Sequence, residues 1–253
     1  MDLGLGGRGF LLTGASRGLG FATARALVDE GAHVLVSSRS PDGVTRAVEE
    51  LGGAPSAFGL AADLADAGAA DRLVEEARRR LGRLDGALIS VGGPAPGTVL
   101  GTAEEDWRSG VESVLFGPLR LVKALVPHLD EGAAIGLVLS TSVRQPLDGL
   151  AISNGLRPGL AMTAKGLADE LGPRGIRVVG LMPGTIATDR IAEIEAASGD
   201  PAAARARTEA EIPLGRIGEP AEFGRVAAFL LSPAASYVSG TMVAVDGGRL
   251  RTP

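Results

Sequence analysis

Short, continuous apolar runs alternate along the chain with longer segments whose apolar residues recur every three or four positions. The run RGFLLTG, residues 8–14, predicts a buried strand. The following GFATARALVDEG predicts a helix with Phe21, Ala24, Leu27 and Val28 on one face, stopped by Gly31. The pattern then repeats. HVLVSS precedes the helical DGVTRAVEELGG, and SAFGLAADL precedes DRLVEEARRRLG, where Glu75 and Arg79 stand at i,i+4 spacing. DGALISV is a fourth strand. Residues 102–129 are long enough for one helix bent near Gly117 and Pro118. AIGLVLSTS, GLAMTAKGLADELG and IRVVGLMPG read as strand, helix and strand, and PAEFGRVAAFLLS with MVAVDGG closes the series. Alternation of this kind implies an α/β fold: a Rossmann-type, doubly wound parallel sheet of about seven strands in a single domain, residues 1–253. The stretch 185–218 is polar and follows a strand's carboxyl end, which makes it a candidate lid over a ligand.

Composition narrows the chemistry. The 253 residues are 45% hydrophobic and 22% charged, enough for one large core. No apolar run approaches transmembrane length, and the amino-terminal stretch lacks the pattern of a signal peptide, so the cytoplasm is the expected compartment. The absence of cysteine excludes disulfides, thiolate nucleophiles and cysteine-ligated metals. With only His33 and His128 as imidazoles, no metal site is expected. A net charge of −5 argues against nucleic acid as a partner, and a small-molecule substrate is expected instead.

The turn LLTGASRGLGF places Gly14, Gly18 and Gly20 between the first strand and the first helix. Glycines there let backbone N–H groups and a helix N-terminus approach a pyrophosphate. The second strand ends in SSRS, without the carboxylate that would accept from a ribose 2′-hydroxyl. Arg39, with Arg17 and Ser38, can instead pair a 2′-phosphate, which favours NADP(H) over NAD(H). Asp63, at the end of the third strand, can accept from an adenine amino group.

These motifs, with LMPGTIATD and the long carboxyl-terminal block PLGRIGEPAEFGRVAAFLLSPAASYVSGTMVAVDGG, resemble the short-chain dehydrogenase/reductase family over essentially the whole chain. The block is closely similar to that of 3-oxoacyl-acyl-carrier-protein reductases. The resemblance implies hydride transfer between a nicotinamide and a carbonyl or alcohol carbon, and a homodimer or homotetramer. It adds Ser16, Leu19, Leu64, Val91, Gly92, Pro183, Gly184, Ile186 and Thr188 to the expected cofactor contacts. It also implies an active site of Asn, Ser, Tyr and Lys, and here the sequence departs. The serine falls on Ser142, but the tyrosine position holds Ser153, the lysine position Arg157 and the asparagine position Val114. Ser90 to Gly93 replaces the usual Asn-Asn-Ala-Gly. A slip of the alignment finds Asn154 or Gly155, not a phenol, and the lone tyrosine, Tyr237, lies in the carboxyl-terminal block.

A serine hydroxyl is too weak an acid to inherit the phenol's role, and an arginine at 157 offers fixed charge rather than a proton. Pro158 is expected to alter the first turn of this helix. Three routes stay open: alkoxide stabilisation by Arg144 or Arg157 with a proton from water or substrate, a buried Asp148 as acid, or a substrate needing little proton help, such as an iminium or activated alkene. The rival reading is a nucleotide-binding sensor, scaffold or subunit without turnover.

Overall fold

In the computed structural model, which describes residues 1–197 and 199–252, seven parallel strands form one sheet. They are β1 (Gly9–Thr13), β2 (His33–Ser38), β3 (Ala57–Ala61), β4 (Gly86–Ile89), β5 (Ala134–Val138), β6 (Arg177–Pro183) and β7 (Met242–Val245). Their order across the sheet is β3-β2-β1-β4-β5-β6-β7. Because both faces are covered, successive residues of each strand go to two different cores. Leu11, Leu35, Ile89, Ile135 and Leu137 lie in one, and Phe10, Leu12, Val34, Val36 and Leu88 in the other. This explains why the strands read as unbroken apolar runs rather than alternating ones.

Helices α1 (Gly18–Asp29) and α2 (Pro41–Glu50) contribute Ala24, Leu27 and Ala47 to the second core. Helix α3 (Ala69–Leu81) contributes Leu73 and Ala77 to the first. On α3 the ion pairing differs from the expected Glu75–Arg79 pair. Glu76 accepts from Arg79 at 2.6 Å, at i,i+3 spacing, and from Arg80 at 2.8 Å, at i,i+4 spacing, so one carboxylate collects both arginines.

The expected long helix is interrupted. Helix α4 (Glu104–Gly110) passes into a π-helical turn over Val111–Phe116 and continues as α5 (Gly117–Leu125). Pro118 has no N–H to give the Val114 carbonyl, and Gly117 donates to Glu112, five residues back. The irregularity therefore lies one turn before Gly117-Pro118, on the segment that carries Val114. The remaining helices are α6 (Ala151–Leu171), α7 (Asp189–Ala197), α8 (Pro201–Ala210) and α9 (Pro220–Leu231). The segment 185–218 folds as the pair α7 and α8, pinned at its base where Ala187 donates to the Gly218 carbonyl at 2.8 Å and Gly218 to Thr185 at 3.1 Å.

At the opposite, amino edge of the sheet, Asp85 is only 6% exposed and accepts from Arg8, Arg83 and the Gly9 N–H. Asp85→Ala is expected to lower stability by about 3 kcal/mol, since it leaves a buried N–H unmatched and strips two cations of their partner. Urea denaturation measures that loss; dinucleotide affinity is expected to be unchanged, because this edge is remote from the crevice.

Candidate active site

Chains leaving β1 and β4 feed different cores, so the carboxyl ends of these neighbouring strands part and open a crevice. Thr13 Oγ1 donates to the Ser90 carbonyl at 2.8 Å and accepts from the Ser90 N–H at 3.0 Å, which fixes its floor. Gly14 has φ +58°, and a Cβ there would stand 2.8 Å from the Ser90 carbonyl. Gly20 packs α1 against the Gly14 carbonyl so closely that a Cβ would overlap it. Gly18, also left-handed at φ +59°, faces the Thr188 methyl group. The turn before α1 and the turn after β6 are thereby brought together. Ser16 lies beside Gly43 at the start of α2, and the Leu19 carbonyl accepts from Thr23.

Ser38 ends β2 with its hydroxyl buried and unpartnered, and Arg39 beside it is exposed. An orphaned hydroxyl next to a free guanidinium fits an oxyanion, so the residues here suit a 2′-phosphate. Arg17 does not join them: it reaches Asp189 on α7 at 3.2 Å, tying the glycine turn to the candidate lid. Asp63 lies beyond β3, which ends at Ala61 rather than at Leu64. It is exposed, with one carboxylate oxygen accepting from the Ala65 N–H. The Leu64 side chain is core, so only its backbone is open to a ligand. Val91 is half-buried and Gly92 exposed. After β6, Pro183 is half-buried, Gly184 packs against Asp246 with no space for a Cβ, and Ile186 is buried.

The three catalytic candidates converge. Ser142 Oγ stands 3.1 Å from Ser153 Oγ, and both residues are buried. Arg157 lies one helical turn beyond Ser153 and is 5% exposed. Its Nη1 donates to the Val138 carbonyl at 2.7 Å. Burial, and secondarily the charge of Arg190, push its guanidinium down to about 10. Val114 is fully buried. Trp107 of α4 lies against Gly155 with no space for a side chain, which closes α4 on α6.

Several sequence-based expectations fail here. Pro158 sits inside α6 as its eighth residue, counting from Ala151, not in its first turn. Asn154, which a one-residue slip would bring to the tyrosine position, holds Leu147 through both its amide groups, at 2.8 and 3.0 Å, and so fastens the loop. Arg144 and Asp148 are exposed in that loop, and the burial on which an acid role for Asp148 depended is missing. Tyr237 is fully exposed. Arg190 was not foreseen: it reaches from α7 to lie over Gly93, where a Cβ would collide with its guanidinium. Its place two residues beyond Thr188, in the turn after β6, was the available signal.

Residues 14–249 match the family described as enoyl-(acyl carrier protein) reductase. The human dehydrogenase/reductase SDR family member 2, mitochondrial, is 35% identical over 247 residues, 96% of this chain and 86% of that protein. Among solved structures, the L-sorbose reductase of Gluconobacter frateurii, complexed with NADPH and L-sorbose, superposes with a TM-score of 0.94 at 30% identity over 100% of both chains. A short-chain oxidoreductase of Pseudomonas aeruginosa PAO1 containing an atypical catalytic center superposes at 0.91 with 27% identity, again over 100% of both.

Proposed function

The chain belongs to the short-chain dehydrogenase/reductase family of oxidoreductases, and we propose that it is an NADP(H)-dependent reductase or dehydrogenase of a small carbonyl-, imine- or enone-like substrate, working through an altered active site. The observation that carries this reading is the convergence of Ser142, Ser153 and the buried Arg157 beside the crevice between β1 and β4. The NADPH held by the sorbose reductase supports the choice of cofactor.

Gly14, Ser16, Gly18, Leu19 and Gly20 would hold the pyrophosphate, with the N-terminus of α1 behind it. Asp63, Leu64, Val91 and Gly92 would line the adenosine side, and Pro183, Gly184, Ile186 and Thr188 the nicotinamide side. Bound there, the cofactor supplies or accepts the hydride. The chain's own residues then handle charge. The Ser142 hydroxyl, held by Ser153, orients the substrate oxygen. Arg157 keeps a cation within the site to stabilise negative charge developing on that oxygen. Neither serine is a proton source of useful strength, so water or the substrate supplies the proton. The Pseudomonas aeruginosa oxidoreductase, described as containing an atypical catalytic center, supports an altered site as a workable one in this fold.

Arg39→Ala is expected to weaken NADPH about tenfold and leave NADH within twofold, as removal of one charge-assisted contact to a 2′-phosphate requires. Calorimetric titration of both dinucleotides reads this directly. A wild-type protein that binds NADPH yet oxidises it with no ketone, imine or enone would favour the alternative, a non-catalytic sensor, scaffold or subunit, to which the missing phenol points. Binding of neither dinucleotide would overturn both. The segment 185–218 would serve as a substrate lid, closing from its pinned base. A homodimer or homotetramer is supported by the exposed Phe116 and Met162 on the π-helical turn and α6 and by the half-exposed edge strand β7. Among the described residues no helix is long and apolar enough to cross a membrane, and we place the enzyme in the cytoplasm, where its cofactor is abundant.

A further inference from the structure

Two buried arginines of this chain are treated differently by the fold. Arg177 is 7% exposed, and its guanidinium donates to three carbonyls, those of Leu230, Ser232 and Val238. Three of its five N–H donors are thus spent on backbone carbonyls, which makes it a structural cation. Arg157 is equally buried, but the Val138 carbonyl is its sole described acceptor, and its other donors are left for something else. Val138 ends β5, where the register pairs Leu137 with Ile89 and so sets Val138 beside Ser90. Three residues further on is Gly93, covered by the guanidinium of Arg190. Among the described residues Arg190 has neither a carboxylate nor a carbonyl partner. Two like charges thus meet at one end of the crevice without a counterion, an arrangement that disfavours itself unless an anion completes it.

We propose that Arg157 and Arg190 form an oxyanion-recognition subsite, in which a carboxylate or phosphate group of a bound ligand is gripped between the catalytic helix α6 and the lid helix α7. Gly93 is part of the design, because any side chain there would displace Arg190. The anion has two sources: a carboxylate carried by the substrate, or a phosphate of the dinucleotide. The second rests on the cofactor reading above. Either makes the lid's closure depend on ligand charge, since Arg190 is carried by α7 and Arg157 by the rigid core.

The single tryptophan, Trp107, packs on Gly155 two residues from Arg157 and reports on the site by its fluorescence. Wild type and Arg190→Gln are titrated, free and saturated with NADPH, with benzoate and with neutral benzamide, and each protein is titrated with NADPH and NADH. If the substrate supplies the anion, benzoate binds about tenfold more tightly than benzamide to wild type, and Arg190→Gln abolishes the preference. If the cofactor supplies it, Arg190→Gln weakens NADPH and NADH alike by about fivefold, and benzoate has no advantage. Arg190→Lys, which keeps the charge but not the fork, is expected to fall between wild type and Arg190→Gln in either arm. An Arg190→Gln protein with unchanged dinucleotide affinities and no carboxylate preference in the wild type overturns the subsite. Loss of the wider cofactor reading looks different: wild type then binds neither dinucleotide, while the benzoate titration of the free protein still decides the subsite. Because Arg190 is exposed, the variant is expected to melt within about 2 °C of wild type, which separates lost binding from lost fold.

Discussion

Arg157→Met is expected to lower turnover of the best carbonyl or imine substrate by about a thousandfold and, at the same time, to raise the melting temperature. The activity loss follows from removing the one cation of α6 that faces the crevice, since a single preorganised oxyanion stabiliser is commonly worth about a hundred- to a thousandfold. The stability gain follows from burial. A guanidinium pushed down from its ordinary range to about 10 is held in the fold at a disadvantage, and methionine fills similar space without charge. Against this stands the Val138 carbonyl, which loses its donor at a cost of about 1 kcal/mol. A net gain of about 2 kcal/mol is expected, about 4–8 °C in a domain of this size. Linkage fixes the pH dependence. Below about pH 10 the arginine is charged in both folded and unfolded chains, and the full disadvantage is present. Above about pH 10 the folded chain sheds its proton before the unfolded one does, so wild-type stability from this group recovers and the advantage of Arg157→Met shrinks. Thermal melts of both proteins at neutral pH and near pH 10 test the sign. A variant that melts several degrees below wild type would show that Arg157 anchors the β5 edge as Arg177 anchors β6, and would remove the reason to regard it as an active-site charge.

The expectation that Arg157 faces the crevice came from its place in the chain, and the seven strands were legible for a related reason. Strands buried on both faces leave uninterrupted apolar runs, and glycines with left-handed φ mark the turns that lead into them, as Gly31 does before β2, Gly82 before β4 and Gly175 before β6. What stayed hidden depends on geometry that spacing does not carry. Pro118 was visible as a breaker, but only the hydrogen-bond register shows that it shifts the irregularity back onto Val111–Phe116. Long flexible side chains were misread most often. Arg17 is taken by Asp189, Glu76 rather than Glu75 collects the arginines of α3, and Arg190 crosses to a strand end nearly a hundred residues earlier. Asn154 carried no assigned role in the sequence, and its amide is spent on the Leu147 backbone. In each case the sequence shows which group is available, and the partner is set by which distant turn the sheet brings beside it.

The same logic separates the two serines. Their hydroxyls are 3.1 Å apart, and either can be the donor, so they form a short relay rather than two independent contacts. Ser142 is held by its own turn, its N–H donating to Ser140 Oγ at 3.1 Å, whereas Ser153 sits on α6 one turn from Arg157. Ser142→Ala is therefore expected to reduce kcat by about a hundredfold, the loss of a donor that orients and stabilises the reacting oxygen. Ser153→Ala, which removes only the partner holding that donor, is expected to reduce it about tenfold. The double variant is expected to be no slower than Ser142→Ala alone, because groups that act as one unit do not add. Steady-state rates of the three variants, with circular dichroism to confirm folding, settle the order. Equal losses for both single variants that multiply in the double would mean that each serine meets the substrate separately, and Ser153 would then stand where the family's phenol acts. With the expected pattern, Ser153 is a positioning residue, the tyrosine's role is left unfilled by any side chain, and the proton must arrive from water or from the substrate itself.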